Sequence, residues 1–261
     1  MSFVPILSVN AELLAGQRPG VDPFAAAHGE EAKALIPVAG RPMMAHVTER
    51  LLGHGAIAQV TVHGSHLARL QAACPDPALH WQESGTSIAA TLSPLLADPT
   101  TRYPLLVTTA DNVLLTDAML DHFTAAAEGA DLAVAVVEAR VLLAKFPASW
   151  RTWLKFRGGR YSGANLFWFG SAKAARVVEL WARAEQDRKR GFAMLGALGW
   201  DNLLLAGARL ITIHAVAARV GRKLGLIARV VEMPHAEACI DVDKQADLEL
   251  AERLLAPHQA D

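Results

Sequence analysis

The chain has 261 residues, with 25 Lys and Arg against 26 Asp and Glu for a formal charge of -1. That length suits one α/β domain over residues 1–261, and the charge balance offers no global positive field to recruit nucleic acid. The two cysteines, Cys74 and Cys239, lack C-x-x-C spacing, which argues against a zinc ribbon or a disulfide scaffold. The residues from Met1 carry no basic leader, and no apolar run reaches the roughly 18 residues of a spanning helix, so a cytoplasmic protein without a transmembrane segment is expected.

The first core strand is predicted at Val9 to Ala15, with Pro5 marking the residues before it as an edge or extension. A loop containing Gly16, Arg18, Pro19 and Gly20 follows, and then Lys33. Glycines directly after a strand let backbone N–H groups approach a phosphate, and Arg18 and Lys33 supply the positive charge that a triphosphate requires. The same residues also suit an ordinary strand-to-helix loop, and neither the G-x-G-x-x-G nor the G-x-x-x-x-G-K-[ST] fingerprint is present.

The turn Pro37-Val-Ala-Gly-Arg-Pro42 launches a helix, with Pro42 expected at its first position and Met43, Met44, Val47, Leu51 and Leu52 at helical spacing. That helix should end near Gly53 to Gly55. Ile57 to Val62 reads as a strand, His66 to Ala73 as a short helix and Leu79 to Trp81 as a third strand. The polar loop Gln82-Glu-Ser-Gly-Thr-Ser87 then opens a helix marked by Ile88, Leu92, Leu95 and Leu96. Such a loop can read a nucleobase edge or simply cap the helix.

Pro104-Leu-Leu-Val-Thr-Thr-Ala-Asp111 is a buried strand with a carboxylate where it leaves the sheet, a position suited to Mg²⁺ bridging nucleotide phosphates. A helix follows from Thr116 or Asp117, and Asp131 to Val137 is another buried strand. Trp150 to Phe156, the turn Arg157-Gly-Gly-Arg160 and Tyr161 to Phe169 read as an antiparallel hairpin. Within it Asn165 is a polar side chain that must find a partner, in substrate or in the protein.

Helical pattern returns from Ala172 to about Gln186 and ends in Asp187-Arg188-Lys-Arg190, a solvated helix end or a site for an acceptor phosphate. Residues 191–224 suggest two apolar helices, Phe192 to Leu205 and Leu210 to Leu224, with the size of an insertion at about 187–224. The Leu-, Ala- and Ile-rich composition from Gly191 to Met233 suits peripheral membrane contact or a cover for an apolar ligand. A last strand is predicted at about Gly225 to Val231. In Cys239-Ile-Asp241-Val-Asp243-Lys-Gln-Ala-Asp247-Leu, extended backbone puts Asp241 and Asp243 on one side, where like charges need a cation or donors; capping of the final helix explains one of them but not both.

The glycine/arginine loop with K-A-L-I-P-V-A-G-R-P-M, the strand-end T-T-A-D and the D-V-D-K-Q-A-D-L tail together resemble the MobA-like NTP transferases, in the same order from about Val9 to Leu255. The resemblance implies an α/β fold, three-layered and Rossmann-like, of the nucleotidyltransferase or glycosyltransferase-A-like type with a mixed, mostly parallel sheet. It implies that Leu14, Ala15, Gly16, Gln17 and Arg18 wrap the nucleotide beside Ala110, and that Arg18 and Lys33 neutralise the triphosphate. It further implies that Asp111 binds Mg²⁺, completed by Asp241 as first choice or Asp243 as second, and that Gln82, Ser84, Gly85, Thr86 and Ser87 lie where relatives read the base. The usual loop resembles L-A-A-G-x-G-x-R-M, whereas here it is L-L-A-G-Q-R-P-G-V-D-P.

The implied activity is transfer of an NMP from an NTP, CTP or GTP being favoured, to a phosphorylated small-molecule or lipid acceptor that Asn165 and Arg188 would contact. Charge neutralisation and positioning would carry the rate, in keeping with the absence of a Ser-His-Asp pattern. An NDP-sugar glycosyltransferase and a non-catalytic nucleotide-binding protein of the same fold are the alternatives.

Overall fold

The computed structural model describes residues 8–16, 20, 22–186 and 210–256. Its central sheet has eight strands in the order β10-β7-β9-β6-β1-β4-β5, with β8 paired to β9. The strands are β1 (Val9–Leu14), β4 (Ile57–Gly64), β5 (Leu79–Glu83), β6 (Leu105–Thr109), β7 (Leu132–Glu138), β8 (Leu154–Phe156), β9 (Gly159–Phe169) and β10 (Ala228–Glu232), while β2 (Pro37–Val38) and β3 (Arg41–Pro42) form a separate small hairpin. Within the large sheet β1 pairs in parallel with both β4 and β6, and β4 with β5. β9 runs antiparallel to β6, β7 and β8.

Alternation along the strands produces three layers. On β1, Val9, Ala11 and Leu13 join the larger core, which includes Met44, Val47 and Leu51 of helix α2 (Met43–Gly53) and Leu120 and Phe123 of helix α5 (Asp117–Ala127). Leu14 of β1 and Leu105 and Val107 of β6 pack on the opposite side, against Leu92 and Leu96 of helix α4 (Ile88–Ala97) and Val178 of helix α7 (Ala175–Gln186). Successive strand residues point to opposite faces, so a sheet covered on both sides reads as a continuous apolar run.

The buried polar residue on β1 is Glu12, which meets the buried His63 of β4 through an Oε2–Nε2 contact of 2.7 Å. The chain moves outward from β1 to β4 and β5 and then returns to β6 on β1's other side. The carboxyl ends of β1 and β6 therefore flank the crevice where an open α/β sheet collects ligands.

Several elements depart from the sequence expectation. Pro42 is not the first helical residue: its φ of -52° and ψ of 138° are extended, and it pairs with Pro37 before α2 begins at Met43. The β2–β3 turn needs two left-handed residues, met by Ala39 (φ 48°) and Gly40 (φ 77°). Helix α1 (Pro23–Ala27) and a 3₁₀ turn at Lys33–Leu35 occupy what reads as loop in the sequence; the Asp22 carboxylate caps α1 by accepting from the Phe24 and Ala25 N–H groups.

Helix α3 (Leu67–Ala73) lies within its expected span, and helix α6 (Ala139–Lys145) follows β7 without an intervening loop, capped by Glu138. Helix α8 (Ile213–Leu224) falls inside the expected Leu210–Leu224 segment. It ends at Gly225, whose φ of 71° makes that residue the helix cap and not the first residue of a strand. The expected Phe192–Leu205 helix lies outside the described residues. The tail closes with a 3₁₀ turn at Ala236–Cys239 and helix α9 (Gln245–Leu255). Among the described residues no helix is long and apolar enough to cross a membrane.

Candidate active site

A cavity of about 810 Å³ opens at the carboxyl ends of β1 and β6. Leu14, Ala15 and Gly16 reach it from β1, Thr109, Ala110 and Asp111 from β6, and Lys33 from the 3₁₀ turn. Thr86, Ser87 and Ile88 line it from the start of α4, Asn165 from β9, and Asp241 and Asp243 from the tail.

Lys33 is the centre of this arrangement. Its Nζ lies 2.6 Å from Asp111 Oδ2 and also donates to Asp243 Oδ1, so one ammonium joins the β6 end to the tail. Ala34 and Leu35 are buried beside it and anchor its backbone. Burial works against the Lys33 charge, but Asp111 and Asp243 together hold its pKa above the ordinary value. Burial likewise opposes the charge on Asp243, yet Lys33 keeps that carboxyl below the usual range.

Asp241 behaves differently. Burial first, and then the charges of Asp243 and Asp111, push it up to about 6, although Arg151 opposes them. Arg151 Nη1 donates to Asp241 Oδ1 at 3.0 Å, and its Nη2 donates to Asp247 Oδ1 at 3.1 Å. The tail is also pinned at the backbone, where Val242 N–H donates to the Asp111 carbonyl at 3.1 Å.

Asn165 sits at an irregularity of β9. β7 advances from Val134 to Val136 while its β9 partners step from Phe167 to Gly163, and Asn165 takes φ 45° inside that step. Asparagine tolerates the left-handed region better than most residues. The bulge aims its amide so that Nδ2 lies 3.5 Å from both Asp111 Oδ1 and Asp241 Oδ2. The Thr109 hydroxyl donates to Asp111 Oδ1 as well.

The sequence-derived residues divide clearly. Leu14, Ala15, Gly16, Lys33, Thr86, Ser87, Ala110, Asp111, Asn165, Asp241 and Asp243 meet at one cavity. Gln82, Ser84 and Gly85 are absent from its lining. The Ser84 hydroxyl instead donates to the Gly16 carbonyl at 2.7 Å, bracing one wall. Gly85 lies so close to α4 that an added Cβ would come 2.6 Å from the Ala90 carbonyl carbon. Gln17, Arg18 and Arg188 lie outside the described residues.

Sequence reasoning assigned no role to Arg151, Ser65, Phe24 or the Thr109 hydroxyl. Ser65 had a signal in its place just after β4, and Thr109 in T-T-A-D, whereas Arg151 belongs to no motif.

Among the described residues no three His, Cys, Asp or Glu side chains converge as a ready metal site. The donor chemistry nevertheless fits a hard divalent cation, because Asp111 and Asp243 already share a cationic group in Lys33 and Asp241 lies next to Asp111 through Asn165.

The family model for the MobA-like NTP transferase domain matches residues 25–218. Among solved structures, a hypothetical transferase from Thermus thermophilus superposes with a TM-score of 0.78 at 30% identity, covering 93% of this chain and 100% of that one. A 4-diphosphocytidyl-2C-methyl-D-erythritol synthase from Anaerococcus prevotii superposes with a TM-score of 0.57 at 10% identity, covering 96% and 99% of the two chains. Another synthase of that name gives 0.57 at 14% identity over 95% and 99%, and these two likenesses show the shared nucleotidyltransferase fold. No curated protein matches the sequence.

Proposed function

The chain belongs to the MobA-like NTP transferase family, and from that premise we propose that it transfers a nucleoside monophosphate from an NTP to a phosphorylated acceptor, releasing pyrophosphate. The observation that carries this reading is the Lys33 ammonium held between Asp111 and Asp243 at the mouth of the β1–β6 crevice. A triphosphate needs both a mobile cation and carboxylates that can share a divalent ion with it, and those groups are adjacent here.

In this mechanism the β1 end and Gly16 approach the phosphates, and Lys33 moves its charge onto them as negative charge builds on the leaving pyrophosphate. Asp111, with Asp241 or Asp243, would hold Mg²⁺, which supplies charge neutralisation at the triphosphate. An acceptor phosphate is largely ionised at neutral pH, its second pKa being about 6, so its oxygen can attack the α-phosphorus without a strong general base. Thr86 and Ser87, which line the same cavity from the start of α4, supply hydroxyl and backbone groups for the base, CTP and GTP being the favoured nucleotides. Asn165, lying between Asp111 and Asp241, orients both carboxylates, and in this reading it also contacts the acceptor.

The test is thermal denaturation with each of the four NTPs and several NDP-sugars, with and without Mg²⁺, on the wild type and Asp111→Asn. A ligand that binds only the folded chain at 100 times its Kd adds about 2.7 kcal/mol of stability. The expected result is a Mg²⁺-dependent rise in Tm with one NTP that Asp111→Asn abolishes. A rise with NDP-sugars alone would favour a glycosyltransferase; no rise with any nucleotide would overturn the transferase reading.

A further inference from the structure

We infer that Lys33 and a divalent cation compete for the same carboxylates, so that the cation is taken up tightly only together with a triphosphate that gives the displaced ammonium a new partner. The inference deepens the transferase reading and rests on it.

The carboxylate oxygens that face the cavity's centre already share donors. Asp111 Oδ1 accepts from the Thr109 hydroxyl and faces Asn165 Nδ2, and Asp111 Oδ2 accepts from Lys33 at 2.6 Å. Asp243 Oδ1 accepts from Lys33, and Asp241 Oδ1 from Arg151 at 3.0 Å. A cation that bridges Asp111 and Asp243 at these oxygens must displace a donor, and the ammonium between them stands in its place.

Thr109 ends β6 and Asn165 is fixed in the β9 bulge, so neither can withdraw without disturbing the sheet. Arg151 is held on its far side by Asp247 at 3.1 Å, and its side chain is only 9% exposed. Lys33 alone in this set carries its charge on a flexible four-carbon stem, with its backbone anchored by buried Ala34 and Leu35 and its head at the cavity. It is the donor that yields.

Its departure without a triphosphate leaves an ammonium and a dication facing each other in a partly buried site, where like charges repel strongly. A triphosphate removes that conflict by accepting the lysine and sharing the ion. Lys33 is thus an obstacle to the free ion and a ligand for the ion–triphosphate pair.

Those two roles give Lys33→Gln opposite effects on two measurable affinities. Mn²⁺ binding would be followed by electron paramagnetic resonance of the free ion, without ligand and with inorganic tripolyphosphate, which probes the phosphate site independently of any base. Lys33→Met, which keeps the apolar stem, serves as a second variant, and circular dichroism checks that each is folded. The expected result is Mn²⁺ binding about tenfold tighter than wild type in the absence of tripolyphosphate, the scale of removing one adjacent like charge. Tripolyphosphate should bind the variants about tenfold more weakly.

If both folded variants bind free Mn²⁺ no more tightly than wild type while wild type still takes up Mn²⁺ with tripolyphosphate, the competition is refuted and the transferase site stands. If wild type takes up neither Mn²⁺ nor tripolyphosphate, both the competition and the transferase reading fall.

Discussion

Asn165 illustrates how one residue can serve backbone and site together. Its φ of 45° costs most residues about 1–2 kcal/mol, while glycine adopts it freely. Asn165→Gly therefore keeps the bulge but removes the donor shared by Asp111 and Asp241, whereas Asn165→Ala removes the donor and strains the backbone. Urea unfolding should find the alanine variant about 1 kcal/mol less stable than the glycine variant, and nucleotidyl transfer should be depressed in both. Equal stabilities would show that the left-handed turn is not under strain. Asp111 is simpler, because it meets Lys33, Thr109 and Asn165 at once. Asp111→Asn should lower transfer by about 10²-fold or more, the scale of losing one preorganised electrostatic contact, and steady-state kinetics with saturating NTP would read it.

At the scale of elements, the loop between β5 and α4 is set by Gly85, which packs on the Ala90 backbone. The Ala90 main chain lies in the first turns of α4 and cannot retreat as a flexible side chain could. Gly85→Ala should cost about 1–3 kcal/mol as overpacking and shift the loop carrying Thr86 and Ser87, so NTP preference should relax along with the fall in Tm.

A second element-scale prediction concerns Asp131, which ties the start of β7 to the entries of α7 and β10. It accepts from the Ser171 hydroxyl at 2.5 Å and from Ile227 N–H at 2.8 Å. The Ser171 hydrogen bond leads in holding its pKa below the ordinary 3.8, against the effect of burial and with help from Ile227. A carboxylate depressed in the folded state contributes stability above its unfolded pKa and loses it as pH falls through the folded value. Acidification from about pH 5 downward should lower the wild-type Tm, and Asp131→Asn, already lacking that contribution, should show a shallower decline.

The same scale shows what could be read from the sequence. Apolar runs reveal β6 and β7, because sheets covered on both faces need them, β1 is legible despite Asn10 and Glu12 within it, and Asp111 is conspicuous as a carboxylate following such a run. Helix α1 has only five residues, too short for a helical period to emerge, and α6 continues directly from the apolar run of β7 with no turn residue between them to mark its start. Arg151 was invisible for another reason: its partners Asp241 and Asp247 lie 90 and 96 positions away, and no local pattern encodes that distance.

Across the whole molecule, the site exists only when the two ends of the chain meet. Lys33 bonds to Asp243 across 210 positions, and the tail that carries Asp243 is itself core: Ala238, Cys239, Ile240, Val242 and Leu248 are buried with the residues of β1 and α2. Loosening the tail must therefore dismantle both the core and the site, and Cys239 can report it. Burial pushes its thiol up to about 12, so in the folded chain it is protonated and shielded and should react with a maleimide only after the tail opens. Cys74 is also buried, and a Cys74→Ala background leaves Cys239 as the single reporter. Where opening and closing outpace labelling, a ligand that binds only the assembled site at 100 times its Kd should slow modification about 100-fold. Mg²⁺ with the preferred NTP should produce that slowing in the wild-type site, and Asp111→Asn should remove it. Labelling unaffected by any nucleotide would mean that the tail opens independently of the cavity its aspartates line.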